Sequence, residues 1–459
     1  MPYRNRNLSR NERTEKTVLC TLSGICPVTN EPAVLSMVFV LRFFYLGLRK
    51  TNMREGRAKM KDLKHLIYFE ELLRQAHNEL VAQACGEGDL ALAYNCSYIP
   101  EPLLDVEGCF SVRLRAPGCT SPDLATYYMT NRSCSYSKSI LERAFEGGYN
   151  FISALIGQEC CTTMNRMEQY FEYCNLIPNE KFHFACIDMP MKKGEWYAGY
   201  FRRQLEQKVT GPLAERFGID FSEEKLRQAI ERHNELCCIM TEIGDMRMAD
   251  NPVITGYEYH VIQLVTLTCP KRLIMDRLRE TLEELRKRRP DPKPWFRARV
   301  MVAGSEVDDP AFTKLVEMCG GIVVADRYCF GSLPGREVIE IRPGQDALDA
   351  LAAHYMEKNE CPRPMGTEAT VHRRQYLYEL AKKYHAEGII LENMKFCEYW
   401  GYERAIAGKW LAEGYQVEGS IPTCQIETDY ANASVGQLRT RFQAFVESLE
   451  IKRLQSPDN

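Results

Sequence analysis

Phe151-Ile-Ser-Ala-Leu-Ile156, followed closely by Gln158-Glu-Cys-Cys-Thr-Thr-Met164, decides the fold. An apolar run of this length after Gly147-Gly148 reads as a strand buried on both faces. The small and polar residues after it read as a turn that opens a helix. A further strand then follows, Phe182-His-Phe-Ala-Cys-Ile187, ending at Asp188. Upstream, Leu90-Ala-Leu-Ala-Tyr94 reads as a strand and Glu101 to Glu107 as a short helix closed by Gly108. Phe110-Ser-Val-Arg-Leu114 is the next strand. Strands separated by helices in this rhythm build a parallel, doubly wound sheet.

The same rhythm returns after a helical middle. Lys271 to Arg289 carries Ile274, Leu278, Leu282 and Leu285 on one stripe, read as core packing, with Glu283–Lys287 and Glu284–Arg288 as favourable pairs. Arg289-Pro-Asp-Pro-Lys-Pro294 stops that helix and marks a linker. Beyond it come strand Arg299–Val302, helix Pro310–Cys319, strand Ile322–Ala325, helix His372–His385 and strand Gly388–Leu391. The last strand runs into Met394-Lys-Phe-Cys-Glu-Tyr-Trp400 and, after a helix, into Gln425-Ile-Glu-Thr-Asp429. Residues 435 to 454 close the chain as an amphipathic helix. Cys161 and Cys397 thus occupy equivalent turns, which points to two halves related by duplication. The expected fold is α/β, with two related doubly wound parallel-sheet domains of Rossmann or flavodoxin type. The expected segments are a basic arm and helical region over 1–84, a first α/β domain over 85–200, a helical region and linker over 201–295, and a second α/β domain over 296–459.

Composition sets the outer limits. Of 459 residues, 45% are hydrophobic and 26% charged, which excludes disorder or simple coiled coil for most of the chain. The net charge of −3 excludes a general polyanion binder. Residues 1–60 depart from it, with 11 Lys and Arg against 4 acids. Such an arm is expected to lie on a partner subunit, since no nucleic-acid motif accompanies it. The N-terminus lacks the pattern of a secretory signal. The apolar run Ala33–Leu48 spans 16 residues and contains Arg42, too short and too charged to cross a bilayer. The expected location is therefore cytoplasmic, where thiols stay reduced.

Cysteine is the unusual residue, with 19 in the chain. Most are expected to act as small buried hydrophobes. No Cys-x-x-Cys pair occurs, so any cluster ligands come from distant loops. The P-loop, dinucleotide, zincin and nucleophile-elbow motifs are all missing, which gives weight to thiolate chemistry by elimination. Ligands of open α/β sheets bind at the carboxyl ends of strands. Cys161 and Cys397 are therefore candidates to face each other across a cleft, with neutral packing of both as the alternative.

Several segments carry a family resemblance. Tyr94-Asn-Cys-Ser-Tyr-Ile-Pro-Glu-Pro-Leu-Leu-Asp-Val-Glu-Gly108, Asn131-Arg-Ser-Cys-Ser-Tyr-Ser-Lys138 and Cys161-Thr-Thr-Met-Asn-Arg166 resemble the 2-hydroxyacyl-CoA dehydratase / benzoyl-CoA reductase subunit family, of the 2-hydroxyglutaryl-CoA dehydratase D-component type. So do Gly304-Ser305, Ala325-Asp-Arg-Tyr-Cys-Phe-Gly331, Lys395-Phe-Cys397, Ile421-Pro422, Glu427-Thr-Asp429 and Gly436-Gln-Leu-Arg-Thr-Arg-Phe-Gln-Ala-Phe445. The resemblance spans about 85–455; Thr162, where the family usually has Asp, and Pro102 depart from it.

The resemblance implies a [4Fe-4S] cluster held by Cys134, Cys161 and Cys397, with the fourth iron open or bound by Cys160 or Cys329. It implies a homologous second subunit, a separate ATP-dependent iron–sulfur activator and an acyl-CoA substrate. The reaction it implies is ketyl-radical loss of water from an (R)-2-hydroxyacyl-CoA to give the enoyl-CoA. Ring reduction of the benzoyl-CoA reductase type and a non-catalytic, cluster-bearing partner subunit are the alternatives, and a plain cysteine-rich binding protein is the fallback. Elimination needs a base within hydrogen-bond reach. Glu101, in the loop after a strand, is the candidate; a carboxylate favoured by a helix start is its other reading.

Overall fold

The computed structural model describes residues 60–159, 161–332, 336–414, 419–430 and 434–455. Most of the basic arm, the run Ala33–Leu48 and Cys160 lie outside them. Residues 59–459 form one compact unit built on two four-stranded sheets. The first contains β1 (Leu90–Tyr94), β2 (Cys109–Arg113), β3 (Ile152–Gln158) and β4 (His183–Ile187), in the order β2-β1-β3-β4. The second contains β5 (Ala298–Gly304), β6 (Gly321–Tyr328), β7 (Gly388–Met394) and β8 (Thr423–Thr428), in the order β6-β5-β7-β8. All strand pairs are parallel.

The α/β expectation and the repeat therefore hold: the two sheets share one topology. Side chains alternate between two apolar layers. Leu92, Tyr94, Ala154 and Ile156 face one, while Ala93, Ile152 and Leu155 face the other. In the second sheet Val300 and Val302 oppose Met301 and Ala303. Burial on both faces is why these strands read as continuous apolar runs. In each sheet the chain reverses its winding between the first and third strands, β1 and β3 or β5 and β7. Loops leaving the carboxyl ends at such a point frame a crevice.

One buried helix, Gly256–Thr268, packs against β2 of the first sheet and β6 of the second. Its start is fixed by a capping box, in which Thr255 and Glu258 exchange hydrogen bonds. Gly256 lets the helix approach β6; a Cβ there would stand 2.4 Å from the carbonyl oxygen of Val323. The polar residues of this helix find partners inside the core. His260 meets Thr313 Oγ1 at 2.8 Å and the Val307 carbonyl at 3.1 Å. Gln263 donates to Asp326 Oδ2 and Ser332 Oγ.

Some boundaries differ from the sequence reading for visible reasons. The stripe Ile274, Leu278, Leu282 and Leu285 is buried, but its helix ends at Lys287. Arg288 turns away, extended, to pair with Glu258 at 2.8 Å instead of with Glu284. Glu284 accepts instead from the backbone of Lys64. The helix at Glu101 stops at Leu104, because Asp105 leaves it to accept from the Ser111 backbone and to pair with Lys271. A helix over Ala347–Lys358 went unread.

Two outcomes follow for the bridging helix. Gly256→Ala forces backbone apart and is expected to cost about 1–3 kcal/mol in urea unfolding. Burial holds His260 neutral, with its imidazole pushed from 6.5 down to about 3. The unfolded chain therefore takes up a proton as pH falls below 6.5 that the folded chain refuses until about 3. The melting temperature should fall as pH drops through that interval, and His260→Gln should flatten the profile.

Candidate metal centre

Cys134, Cys161 and Cys397 each precede a helix, as N-cap of Ser135–Phe145, Thr162–Tyr173 and Glu398–Glu413 respectively. A strand that turns into a helix leaves the first N–H groups of that helix without partners. These groups, and the positive end of the helix dipole, favour a thiolate at that position. Cys161 Sγ accepts from the Met164 N–H at 3.4 Å. At Cys397 the chain is reversed by Phe396, whose φ of 65° lies in the left-handed region, and the Cys397 N–H returns to the Met394 carbonyl.

The structure brings the turns that carry these three cysteines into contact. Ser135 Oγ, next to Cys134, reaches Met394 Sδ at 3.2 Å, beside the Cys397 turn. Ser137 Oγ reaches Met164 Sδ, beside the Cys161 turn, at 3.9 Å. Cys161 and Cys397 pack against the apolar cluster that contains Cys134. Burial pushes the Cys134 thiol up to about 12; the Ser137 and Tyr136 N–H groups oppose the rise, while Cys161 and Glu306 add to it. Burial likewise raises Cys397, reinforced by Cys134 and Cys161 and opposed by the Trp400 N–H. Thiols that raise one another in this way ionise together only when a cationic centre compensates.

Among the described residues, no three His, Cys, Asp or Glu side chains converge as ligands of one metal ion. A cube of irons and sulfides is wider than a single ion and spreads its thiolates accordingly. The donor set fits such a group: soft, helix-capping sulfurs, that of Cys134 buried and those of Cys161 and Cys397 partly buried, contributed by both halves of the chain.

A buried charged frame surrounds the cysteines. Arg113, the last residue of β2, donates to the carbonyls of Asn95 at 3.2 Å and Cys329 at 2.5 Å. Its guanidinium lies 4.1 Å from the Phe330 ring centroid and 3.7 Å from Glu306 Oε2. Two residues on, Arg115 donates to the Asp308 carbonyl, and Asp308 accepts from Tyr430 Oη at 2.6 Å. Burial pushes the Glu306 carboxyl up to about 8; Arg113 opposes this, and Cys96, Asp308 and Cys161 add to the rise. Glu306 escaped the sequence reading. The available signal was an acid immediately after β5, at the point where the winding reverses.

Glu101 is engaged in a buried ion pair. Its carboxylate meets Lys271 Nζ at 3.0 Å, and Lys271 also holds Asp105 at 2.9 Å. Burial alone would raise Glu101, but Lys271, His233 and Arg336 hold it at about 2. Cys329 is buried against Trp400, with Cys361 and Cys397 beside it. An open cleft lined by Cys161, Thr162, Asn165, Arg166, Arg363 and Tyr399 leads from solvent to the Cys161 turn. No helix among the described residues is long and apolar enough to cross a membrane.

Comparison with known proteins agrees with this architecture. The sequence profile of the family described as "2-hydroxyglutaryl-CoA dehydratase, D-component" matches residues 96–449. The chain is 25% identical to the (R)-phenyllactyl-CoA dehydratase beta subunit of Clostridium sporogenes, over 83% of this chain and 97% of that protein. It is 23% identical to the (R)-2-hydroxyglutaryl-CoA dehydratase subunit beta of Acidaminococcus fermentans, over 81% and 95%. Lactoyl-CoA dehydratase subunit beta of Anaerotignum propionicum is also 23% identical, over 77% and 90%.

Arg113→Met would leave Glu306 buried without its cation and free two backbone carbonyls. The expected loss is about 1–3 kcal/mol for each carbonyl left without its donor. Arg113→Lys should recover only part of it, because an ammonium cannot span the same three acceptors. Urea unfolding of both variants measures the difference.

Proposed function

This chain belongs to the 2-hydroxyglutaryl-CoA dehydratase D-component family, and on that premise we propose that it is an iron–sulfur subunit of a 2-hydroxyacyl-CoA dehydratase. The observation that carries the reading is the contact between the turns that carry Cys134, Cys161 and Cys397, which are far apart in sequence. Those three residues would hold a [4Fe-4S] cluster. When bound, it supplies one-electron chemistry at low potential, which radical loss of water from an (R)-2-hydroxyacyl-CoA requires because the β-proton is too weakly acidic for ordinary acid–base removal.

This chain's own residues account for the rest of the site. The helix N-termini behind the three cysteines favour the thiolate form. Phe330, Trp400 and Met394, all buried, keep water away from the sulfurs. The cleft at Thr162, Asn165 and Arg166 gives an acyl-CoA or an electron-donating protein its approach from solvent. Glu306 stands in position to hold a proton beside Cys161, whereas Glu101 is held ionised by Lys271. The electron comes from a separate ATP-dependent activator, and a homologous second subunit completes the enzyme. The beta-subunit names of the relatives favour a division of labour in which this chain carries a cluster next to that partner.

Anaerobic purification followed by iron and sulfide analysis tests the reading. Cys134→Ser, Cys161→Ser and Cys397→Ser should each lose about four irons per chain, the content of one cube. Each should also lose dehydration of (R)-2-hydroxyacyl-CoA when assembled with partner and activator. Iron content unchanged in all three variants overturns the assignment.

A further inference from the structure

Glu168 carries a carboxyl group into the interior without an ion-pair partner. It lies in the helix Thr162–Tyr173, the one that Cys161 opens, and it is fully buried. Its carboxyl fills the space over Gly157 of β3; a Cβ at that position would stand 2.2 Å from Glu168 Oε2. Oε1 accepts from the Asn95 side-chain amide, just beyond β1, at 3.2 Å. Asn95 in turn gives its backbone carbonyl to Arg113. One carboxyl group thus meets the helix behind Cys161, the end of β1 and the end of β3.

Two buried oxygens at this meeting point lack a hydrogen bond, Glu168 Oε2 and Asn95 Oδ1. Folded proteins satisfy most such atoms. With Glu168 ionised, both can only accept, and neither can serve the other. A proton on Oε2 removes the conflict, because it turns that oxygen into a donor. A carboxylic acid and a primary amide pair through two parallel hydrogen bonds, and the one from Asn95 Nδ2 to Oε1 is already present. An ionised carboxylate held by one neutral donor would also forfeit most of its hydration. The surrounding groups act in the same direction. Burial raises the Glu168 carboxyl well above its ordinary 4.5; the Asn95 amide and the Gln158 N–H oppose the rise, and the Cys96 and Cys161 thiols add to it. Cys186 of β4 lies within electrostatic reach, and Glu306 acts on the same Cys96 and Cys161.

We propose that Glu168 is a neutral carboxylic acid in the folded chain, and that its O–H donates to Asn95 Oδ1. The pair fastens the helix opened by Cys161 to the ends of β1 and β3, which makes Glu168 a positioning residue for that turn. The state of Glu168 is independent of the proposed function, whereas its effect on Cys161 as a cluster ligand rests on it.

Infrared spectroscopy of the full chain tests the state of the group. The difference between wild type and Glu168→Gln at about pH 7 should contain the carbonyl band of a neutral carboxylic acid. A carboxylate signal in its place overturns the proposal. Unfolding supplies a second readout, since glutamine is a neutral substitute whose amide can also donate to Asn95 Oδ1. From pH 4.5 upward the unfolded wild type releases a proton that the folded chain keeps. Wild type should therefore lose stability relative to Glu168→Gln, by about tenfold in the unfolding equilibrium constant per pH unit. A difference that stays constant with pH overturns the proposal. For the positioning role, anaerobically purified Glu168→Gln should keep the iron content of wild type and Glu168→Ala should lose most of it, with circular dichroism confirming the fold. Iron lost from Glu168→Gln, or fully kept in Glu168→Ala, overturns that role. Wild type free of iron overturns the proposed function, while the infrared band still decides the state of Glu168.

Discussion

A single guanidinium joins the two sheets where their carboxyl ends meet. Arg113 ends β2, yet its hydrogen bonds and ion pair reach the loops after β1, β5 and β6. Its charge is out of water, so each of these partners is needed to offset the loss of hydration. Arginine suits the task because its planar fork serves several acceptors at fixed angles and stacks on Phe330. Arg115 repeats the crossing two residues later, to Asp308. These two side chains tie together loops at the carboxyl ends of the two sheets.

The fold supplies the crevice through its repeated topology. In each sheet the third strand, β3 or β7, ends in a turn whose cysteine opens the next helix. The first strands differ: β1 leads to Cys96, whereas β5 leads to Ser305 and Glu306. The shared strand order thus puts Cys161 and Cys397 at equivalent turns, while the loops after β1 and β5 differ. The bridging helix Gly256–Thr268 supports the arrangement, since it touches both sheets and His260 and the Gln263 amide nitrogen find partners inside the core.

Much of this was legible in the sequence. Parallel strands covered on both faces are rich in apolar residues, and seven of the strands, from Leu90–Tyr94 to Gly388–Met394, were read from such runs, although β2 is interrupted by Ser111 and Arg113. The repeat equated Cys161 with Cys397, and the family resemblance supplied Cys134. The charged frame was not legible. Arg113 and Glu306 are separated by almost two hundred positions, and nothing local marks a charge that will be buried. Glu101 shows the opposite difficulty. A carboxylate after a strand and at a helix start fits catalysis and ion pairing equally, and nothing local in the sequence points to its partner Lys271. Helix ends were misread where a side chain had a distant partner, as with Arg288 and Glu258.

The left-handed turn at Phe396 bears on how the centre is filled. A bulky residue in that conformation costs about 1–3 kcal/mol, and it persists only where the surroundings dictate it. Here the surroundings are β7 on one side and the helix Glu398–Glu413 on the other. The cost of that conformation is offset by the fold itself. In the proposed cluster site, Cys397 would therefore be oriented by its own backbone, and binding there would require little rearrangement of the turn.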